Sequence, residues 1–366
     1  MEHLRENSSQ QLPLTAETVE LSLWRGDTTP LGEVIIETFL WFLCVFTVLG
    51  NVLVLIVFAR DRQLRSKISN LFILNLAMAD LLVGCVSIPL NNLYRDTGLW
   101  PFSEAACKFW MSMDFSQCTV SVWAVVLISH DRYMLVTKGL EYDKLQTYRR
   151  FLILSSLLWV ISYSRYVFAY VGYDLFVDST VDYGLYCDSD VLHKSSFIIY
   201  DMLTSNVIPV MLIAYFNTKL YLDIRRRSRG LPRNWASVDP EPSVTGTTDT
   251  NSGVPAAVST IAAVVPPTTT FPTARREGTA DIRKHVRAAI TLGLIVGVSS
   301  LCWIPYFTIT FLQITFGVSI GTRALMVSYY IFYSNSAVNP LLYVATNPRI
   351  RNGIAKIMGL RKRPGW

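Results

Sequence analysis

The sequence predicts an all-α membrane protein, a bundle of seven transmembrane helices with a short amphipathic eighth helix. Two observations lead to this fold class. Of the 366 residues, 51% are hydrophobic and only 16% are charged, whereas soluble domains contain about 25% charged residues. Apolar runs of about 20 residues, long enough to cross a bilayer as a helix, occur seven times.

The seven runs are separated by polar segments. In chain order they cover Glu33–Phe58, Ile68–Leu93, Cys107–Val136, Arg150–Val171, Ser195–Tyr221, Val286–Leu312 and Leu325–Val344. They define a membrane domain, residues 33–345, that follows a polar extracellular tail, residues 1–32. The segment from about 228 to 280 is rich in Thr, Pro and Ser, so we expect a disordered cytoplasmic loop. Residues 346–366 contain the amphipathic stretch Pro348–Leu360, expected on the inner membrane surface, and a short tail.

Lys and Arg residues are concentrated in the connections on one side of the membrane. Arg60 and Arg62 follow the first span, Lys138 and Lys144 follow the third, and Arg225–Arg227 follow the fifth. Because cytoplasmic loops carry such an excess, the N-terminus is predicted to be extracellular and the C-terminus cytoplasmic, in a multi-pass plasma-membrane protein. The net charge of +6 is explained by this asymmetry and by attraction to the bilayer, without nucleic acid as a partner.

Cysteine positions agree with this topology. Of the six cysteines, only Cys107 and Cys187 lie on the outer, oxidising side, so a disulfide between them is predicted. It would tie the second outer loop to the start of the third span. The sequon at Asn7 in the outer tail predicts N-glycosylation.

Ionisable side chains inside a membrane are costly and are therefore functional candidates. Asp80 lies in the middle of the second span, with no basic residue at similar depth. It could join an oxygen-rich cage for a small hard cation such as Na⁺. Alternatively, Asp80 is protonated and belongs to a purely structural hydrogen-bond network. The other residues of this candidate cage are Ser121, Asn335, Ser336 and Asn339.

Asp114 lies just inside the outer face of the third span, and no Lys or Arg in another span is placed to neutralise it. A carboxylate reachable from outside, surrounded by aromatic rings, suits an ammonium group through an ion pair and cation–π contacts. Alternatively, the tyrosines form an interfacial belt and Tyr333 satisfies Asp114 internally. The aromatic residues concerned are Trp303, Tyr306, Phe307, Tyr329 and Tyr333.

Three further features suggest a moving part. The triplet from Asp131 to Tyr133 lies at the cytoplasmic edge of the third span. Its Asp and Arg form either a solvated ion pair or a pair that holds an inner crevice closed. Pro305 and Pro340 each interrupt an apolar span, where proline removes a helix hydrogen bond and creates a plausible hinge.

Taken together, these residues resemble the rhodopsin-like (class A) G-protein-coupled receptors over nearly all the spans. The motifs are GN at 50–51, LAMAD ending at Asp80, DRY at 131–133, Trp159, Pro209, CWIPY at 302–306 and NPLLY at 339–343. The resemblance implies signalling through a heterotrimeric G protein, with arrestin and receptor kinases as further partners, and no enzymatic activity. The switch residues it implies are Asp131, Arg132, Tyr133, Pro305, Asn339, Pro340 and Tyr343.

Within this family the chain looks like an aminergic receptor, because Asp114 matches the amine-binding aspartate and Tyr333 the tyrosine that hydrogen-bonds it. Finer similarity is to the third and fourth histamine receptor subtypes, which implies an inhibitory G protein. Those subtypes have a glutamate where Ser205 stands here, whereas Asp201 supplies an acid one turn earlier. The implied ligand site comprises Asp114, Cys118, Asp201, Ser205, Trp303, Tyr306, Phe307, Tyr329 and Tyr333.

Two acids across one pocket would suit histamine or a similar short amine. Alternatively, Asp201 forms an ion pair with Arg165 or Lys194 and does not contact the ligand. A receptor for acetylcholine or another monoamine is the nearer rival function. A transporter or channel is the rival from another class, and the absence of internal repeats in the sequence counts against it. No cofactor is expected beyond an allosteric Na⁺ ion.

Overall fold

The structure is a computed structural model, and the residues it describes fall into several segments. These are 30–97, 99–177, 181, 183, 186–229, 297–313 and 315–360. The predictions on the Asn7 sequon, on most of the tail 1–32 and the cytoplasmic loop 228–280, and on the start of the sixth span lie outside the described residues.

Long helices occupy the predicted spans, and we number them α1 to α8 in chain order. Their bounds are Pro30–Arg60, Ile68–Thr97, Glu104–Lys138, Tyr148–Leu175, Ser195–Arg226, 297–313 for the described part of α6, Thr322–Thr346 and Pro348–Ile357. The helical conformation of α5 continues to Arg229. α1 begins within the segment predicted to be a tail, and α8 ends before the predicted Leu360.

Polar residues in the loops determine where several helices begin. The hydroxyl groups of Ser103 and Thr147 accept hydrogen bonds from backbone N–H groups in the first turns of α3 and α4, at 3.4 and 3.2 Å. Asn347 caps α8 in the same way, and Pro348 occupies the first helical position. Such caps satisfy donors that the helix itself leaves unpaired.

Within the described residues, five helices are long and apolar enough to cross a membrane, namely α1 to α5. α7 is not among them, although its sequence was predicted as a span, because its Ser, Asn and Tyr residues make it more polar. Several of these, such as Tyr333, Asn335 and Asn339, are buried inside the bundle, while apolar side chains such as Val327 and Leu341 are exposed. A membrane helix can hold polar groups in this way when they face protein.

α3 lies at the centre of the bundle and packs against α2, α4 and α5, while α7 packs against α1 and α2. The approach of α1 to α7 is close. A Cβ atom added at Gly50 would lie 3.0 Å from Cγ of Pro340, so a side chain at this position would push the two helices apart.

In the part of the chain that the structure describes, three helices contain a π-helical turn. The turns are Val83–Ser87 in α2, Phe168–Gly172 in α4 and Leu203–Val207 in α5. Each widens the helix locally, so residues beyond it face a direction that regular helical spacing does not give.

A disulfide joins Cys107 to Cys187, as the sequence predicted. It lies in a second, smaller core at the end of the bundle where α3 begins, in which the rings of Trp100 and Trp110 stack 5.1 Å apart. The connection between α4 and α5 is thereby attached to the start of α3.

Candidate functional site

A cavity opens between α3, α4, α5, α6 and α7. It combines two carboxylates with aromatic rings and a few hydroxyl groups. Its lining consists of Asp114, Phe115, Cys118, Thr119, Val122, Tyr166, Asp201, Ser205, Asn206, Tyr306, Phe307, Tyr329 and Phe332.

Asp114 is only 2% exposed and accepts hydrogen bonds on both carboxylate oxygens. The Tyr333 hydroxyl donates to Oδ1 at 2.8 Å, and the Tyr329 hydroxyl donates to Oδ2. Asp114 forms no ion pair with any residue that the structure describes. Hydrogen bonds donated to a carboxylate favour its charged form, and that form can pair with a cation.

Aromatic rings cover the side of the cavity formed by α6 and α7. The Tyr306 ring lies 5.3 Å from the rings of both Phe307 and Tyr329. Phe332 packs 5.7 Å from Tyr306 and 5.6 Å from Phe307. These faces can surround an ammonium group held by Asp114.

Two residues of the predicted ligand site do not line the cavity. Trp303 is buried in the main core at 2% exposure. Tyr333 donates a hydrogen bond to Asp114 but does not line the cavity itself. The other predicted residues all line it. Sequence reasoning missed Phe115, Thr119, Val122, Tyr166, Asn206 and Phe332. Thr119 and Val122 could have been found, since they share a helical face with Phe115 and Cys118.

At the α5 side of the cavity, Asp201 forms an ion pair with Arg165 of α4, with Nη2 and Oδ1 2.9 Å apart. The hydroxyls of Tyr166 and Ser205 also donate to Oδ1, at 2.6 and 3.1 Å. Of the alternatives that the sequence left open for Asp201, the structure contains the pair with Arg165.

Below this cavity, Asp80 is fully buried and accepts three hydrogen bonds. The hydroxyls of Ser121 and Ser336 donate to Oδ1 at 3.3 and 2.8 Å, and the Asn339 amide donates to Oδ2 at 2.8 Å. The side-chain oxygens of Asn335 and Asn339 are buried without a hydrogen-bond partner among the described residues. The structure therefore brings Ser121, Ser336 and Asn339 of the predicted cage together at Asp80. The spare side-chain oxygen of Asn339 is the kind of acceptor that a small hard cation binds.

Toward the C-terminal end of α3, Asp131 is fully buried rather than solvated. It accepts hydrogen bonds from Tyr142 at 2.7 Å and from Gln146 at 3.0 Å. Arg132 is half-buried and forms no ion pair with any residue that the structure describes. The neighbouring Tyr133 ring lies 5.9 Å from Phe216 of α5.

The remaining predicted switch residues lie in α6 and α7. Pro305 is half-buried in α6, and Pro340 lies inside α7 next to Gly50. The Tyr343 side chain is fully buried, and its hydroxyl has no partner among the described residues. A buried hydroxyl without a partner is a destabilising feature that another arrangement of the helices could relieve.

Residues 50–343 match the protein family described as 7 transmembrane receptor (rhodopsin family). Among similar proteins, the human histamine H4 receptor is 27% identical over 96% of this chain and 97% of its own length. The mouse alpha-1A adrenergic receptor is 25% identical over 98% of this chain and 74% of its own length. Relatives named for histamine and for adrenergic ligands are therefore about equally similar.

Proposed function

The chain belongs to the rhodopsin family of seven-transmembrane receptors, and we propose that it is a cell-surface receptor for a small amine, histamine or a histamine-like compound. As a member of this family it is a receptor and not an enzyme. The observation that carries the amine proposal is the state of Asp114. This carboxylate lines a cavity, accepts hydrogen bonds from two tyrosines and has no cationic partner among the described residues.

In this proposal the ligand's ammonium group pairs with Asp114 and contacts the Tyr306, Phe307 and Tyr329 rings. Each cation–π contact contributes about 0.5–2 kcal/mol. The ligand changes the receptor only by the difference in its affinity for two helix arrangements. Movement of α6 about Pro305 relative to α5 would expose Arg132 to a heterotrimeric G protein, of the inhibitory class by likeness to the histamine subtypes.

A sodium ion is proposed as an allosteric ligand at Asp80. Ser121, Ser336, Asn335 and Asn339 would supply the remaining oxygen ligands. A bound cation would offset the carboxylate charge and link α2, α3 and α7. The alternative is that the same hydrogen bonds form a structural network around a protonated Asp80.

A receptor for acetylcholine or for another monoamine is the second candidate, favoured by the similarity to alpha-1A adrenergic receptors. It would use Asp114 in the same way but would not require an imidazole-binding group near Asp201. The two candidates differ in the ligand, not in the signalling mechanism.

The test is an amine panel on cells expressing the full chain, with G-protein activation as the readout. Histamine, acetylcholine, tyramine and serotonin are compared on the wild type, on Asp114→Ala and on Glu104→Ala. Glu104 is an acid of the same helix that pairs with Lys108 outside the cavity, so it serves as the control. Loss of one partner of a buried charge pair costs about 2–5 kcal/mol, a reduction in potency of about 30-fold or more. Unchanged potency for Asp114→Ala at normal surface expression would contradict the amine proposal.

A further inference from the structure

Arg165 is a cation that the ligand site described above does not use. It projects from α4, within the membrane, and its side chain is only 13% exposed. Nη1 donates to Oγ1 of Thr204 at 2.5 Å, and Nη2 donates to Oγ of Ser205 at 2.5 Å and to Oδ1 of Asp201 at 2.9 Å. Its guanidinium carbon also lies 4.3 Å from the centre of the Tyr166 ring. This guanidinium is therefore fixed in position by α4 and α5.

The hydrogen bonds to Asp201 are unevenly divided between its two oxygens. Arg165, Tyr166 and Ser205 all donate to Oδ1. Oδ2 accepts no hydrogen bond from any residue that the structure describes, and Asp201 lines the cavity. Asp201 therefore keeps one acceptor for a ligand, although its negative charge is balanced by Arg165.

The charges of the cavity follow from these contacts. Asp114 and Asp201 contribute two negative charges, and Arg165 contributes one positive charge beside Asp201. These charges sum to one negative charge, which is located at Asp114. A ligand that carries a single positive charge therefore neutralises the cavity. A second ammonium group placed at Asp201 would stand next to a guanidinium of the same sign, which is unfavourable at low dielectric.

We propose that Arg165 determines ligand specificity by restricting the Asp201 end of the cavity to a neutral hydrogen-bond donor. An uncharged imidazole N–H or a phenol O–H can donate to Oδ2, whereas the second ammonium group of a diamine is excluded. Arg165 acts through Asp201 and is a positioning residue. This inference rests on the proposed amine function and refines the class of amine.

The test measures binding on purified full-length receptor, from the concentration dependence of thermal stabilisation by ligand. The probes are histamine, whose imidazole is largely neutral at pH 7.4, and 1,5-diaminopentane, which carries two ammonium groups. The wild type should favour histamine by at least tenfold. Arg165→Gln should shift the affinity ratio toward the diamine by about tenfold or more, since Asp201 then offers an unbalanced charge.

Two further variants separate this effect from a loss of structure. The double variant Arg165→Gln/Asp201→Asn should lose the gained diamine affinity, because it removes both charges. Arg165→Lys keeps the positive charge and should continue to exclude the diamine, and it can be compared with the wild type if Arg165→Gln does not fold. An unchanged affinity ratio in Arg165→Gln, or equal binding of both probes by the wild type, overturns the inference.

Asp114→Ala distinguishes this inference from the proposed function. If that substitution leaves the binding of both probes unchanged, the amine function itself is wrong. If binding depends on Asp114 but the ratio does not depend on Arg165, only the specificity role is wrong.

Discussion

The side-chain hydroxyl of Tyr142 donates a 2.7 Å hydrogen bond to Oδ1 of Asp131. Tyr142 belongs to the connection between α3 and α4, and its hydroxyl also lies 2.8 Å from the hydroxyl of Ser69 in α2. Burial, followed by the nearby Asp131 carboxylate, raises the pKa of Tyr142, so its hydroxyl remains a donor at neutral pH. This connection is thus linked through one side chain to the start of α2 and the end of α3.

We expect Tyr142→Phe to destabilise the receptor by about 1–3 kcal/mol, because Asp131 is fully buried and would lose one of its two donors. The measurement is the thermal unfolding midpoint of purified receptor. Tyr148→Phe is the matched control, since Tyr148 is 59% exposed at the start of α4. Equal midpoints for the two variants would show that the Tyr142 bond contributes nothing to stability.

Asp80→Asn should abolish a sodium effect on the receptor. In the wild type, NaCl at about ten times Kd should raise the free energy of unfolding by about 1.4 kcal/mol over that in choline chloride at equal ionic strength. The thermal midpoint should therefore be higher in NaCl. The variant lacks the carboxylate that would balance the cation, so its midpoint should be the same in both salts. A wild type without a sodium response would instead support the structural hydrogen-bond network.

Tyr333→Phe should reduce amine affinity by about tenfold or more. The lost hydrogen bond goes to a charged group, and such bonds contribute about 1.5–3 kcal/mol. Tyr329 still donates to Asp114 in this variant, so the loss should be smaller than that of Asp114→Ala. Tyr330→Phe is the control, because Tyr330 lies on the same helix but donates to Asn91 and Asn92. If Tyr330→Phe weakens binding as much, the effect does not come from Asp114.

Gly353→Val should dislodge α8 from α1. A Cβ atom at Gly353 would lie 2.6 Å from Cγ1 of Val57, so the helices must separate, at a cost of about 1–3 kcal/mol. Asn352→Val places the same side chain at an exposed position of α8 and controls for its helix propensity. The readout is the thermal midpoint, which only Gly353→Val should lower substantially.

The number and order of the membrane helices could be predicted from hydropathy, and the family match at residues 50–343 confirms the seven-helix receptor fold. Asp114 and Tyr333 could be paired from the sequence, and their contact is present at 2.8 Å. The position of Arg165 could not be determined, because its partners come from α3 and α5 and the sequence left both Arg165 and Lys194 open for Asp201.

The π-helical turns also explain why the sequence did not predict every residue that lines the cavity. The π-helical turn Leu203–Val207 contains Ser205 and lies between Asp201 and Pro209. When side-chain directions are predicted from regular helical spacing across this turn, each extra residue introduces an error of about 100° around the helix axis. Asn206 lines the cavity for this reason, although it does not share the regular helical face of Asp201.

The contact between Arg165 and Asp201 has a consequence for biosynthesis. When α4 emerges from the ribosome, its guanidinium has no carboxylate partner. An arginine at the centre of a lipid-embedded helix costs about 2.5–3.5 kcal/mol on the translocon scale, which is the upper limit for Arg165 in the later half of α4. The partner arrives only with α5, 36 residues later in the chain. Stable integration of these two helices is therefore coupled, and a nascent chain truncated before Asp201 should leave its fourth helix poorly inserted.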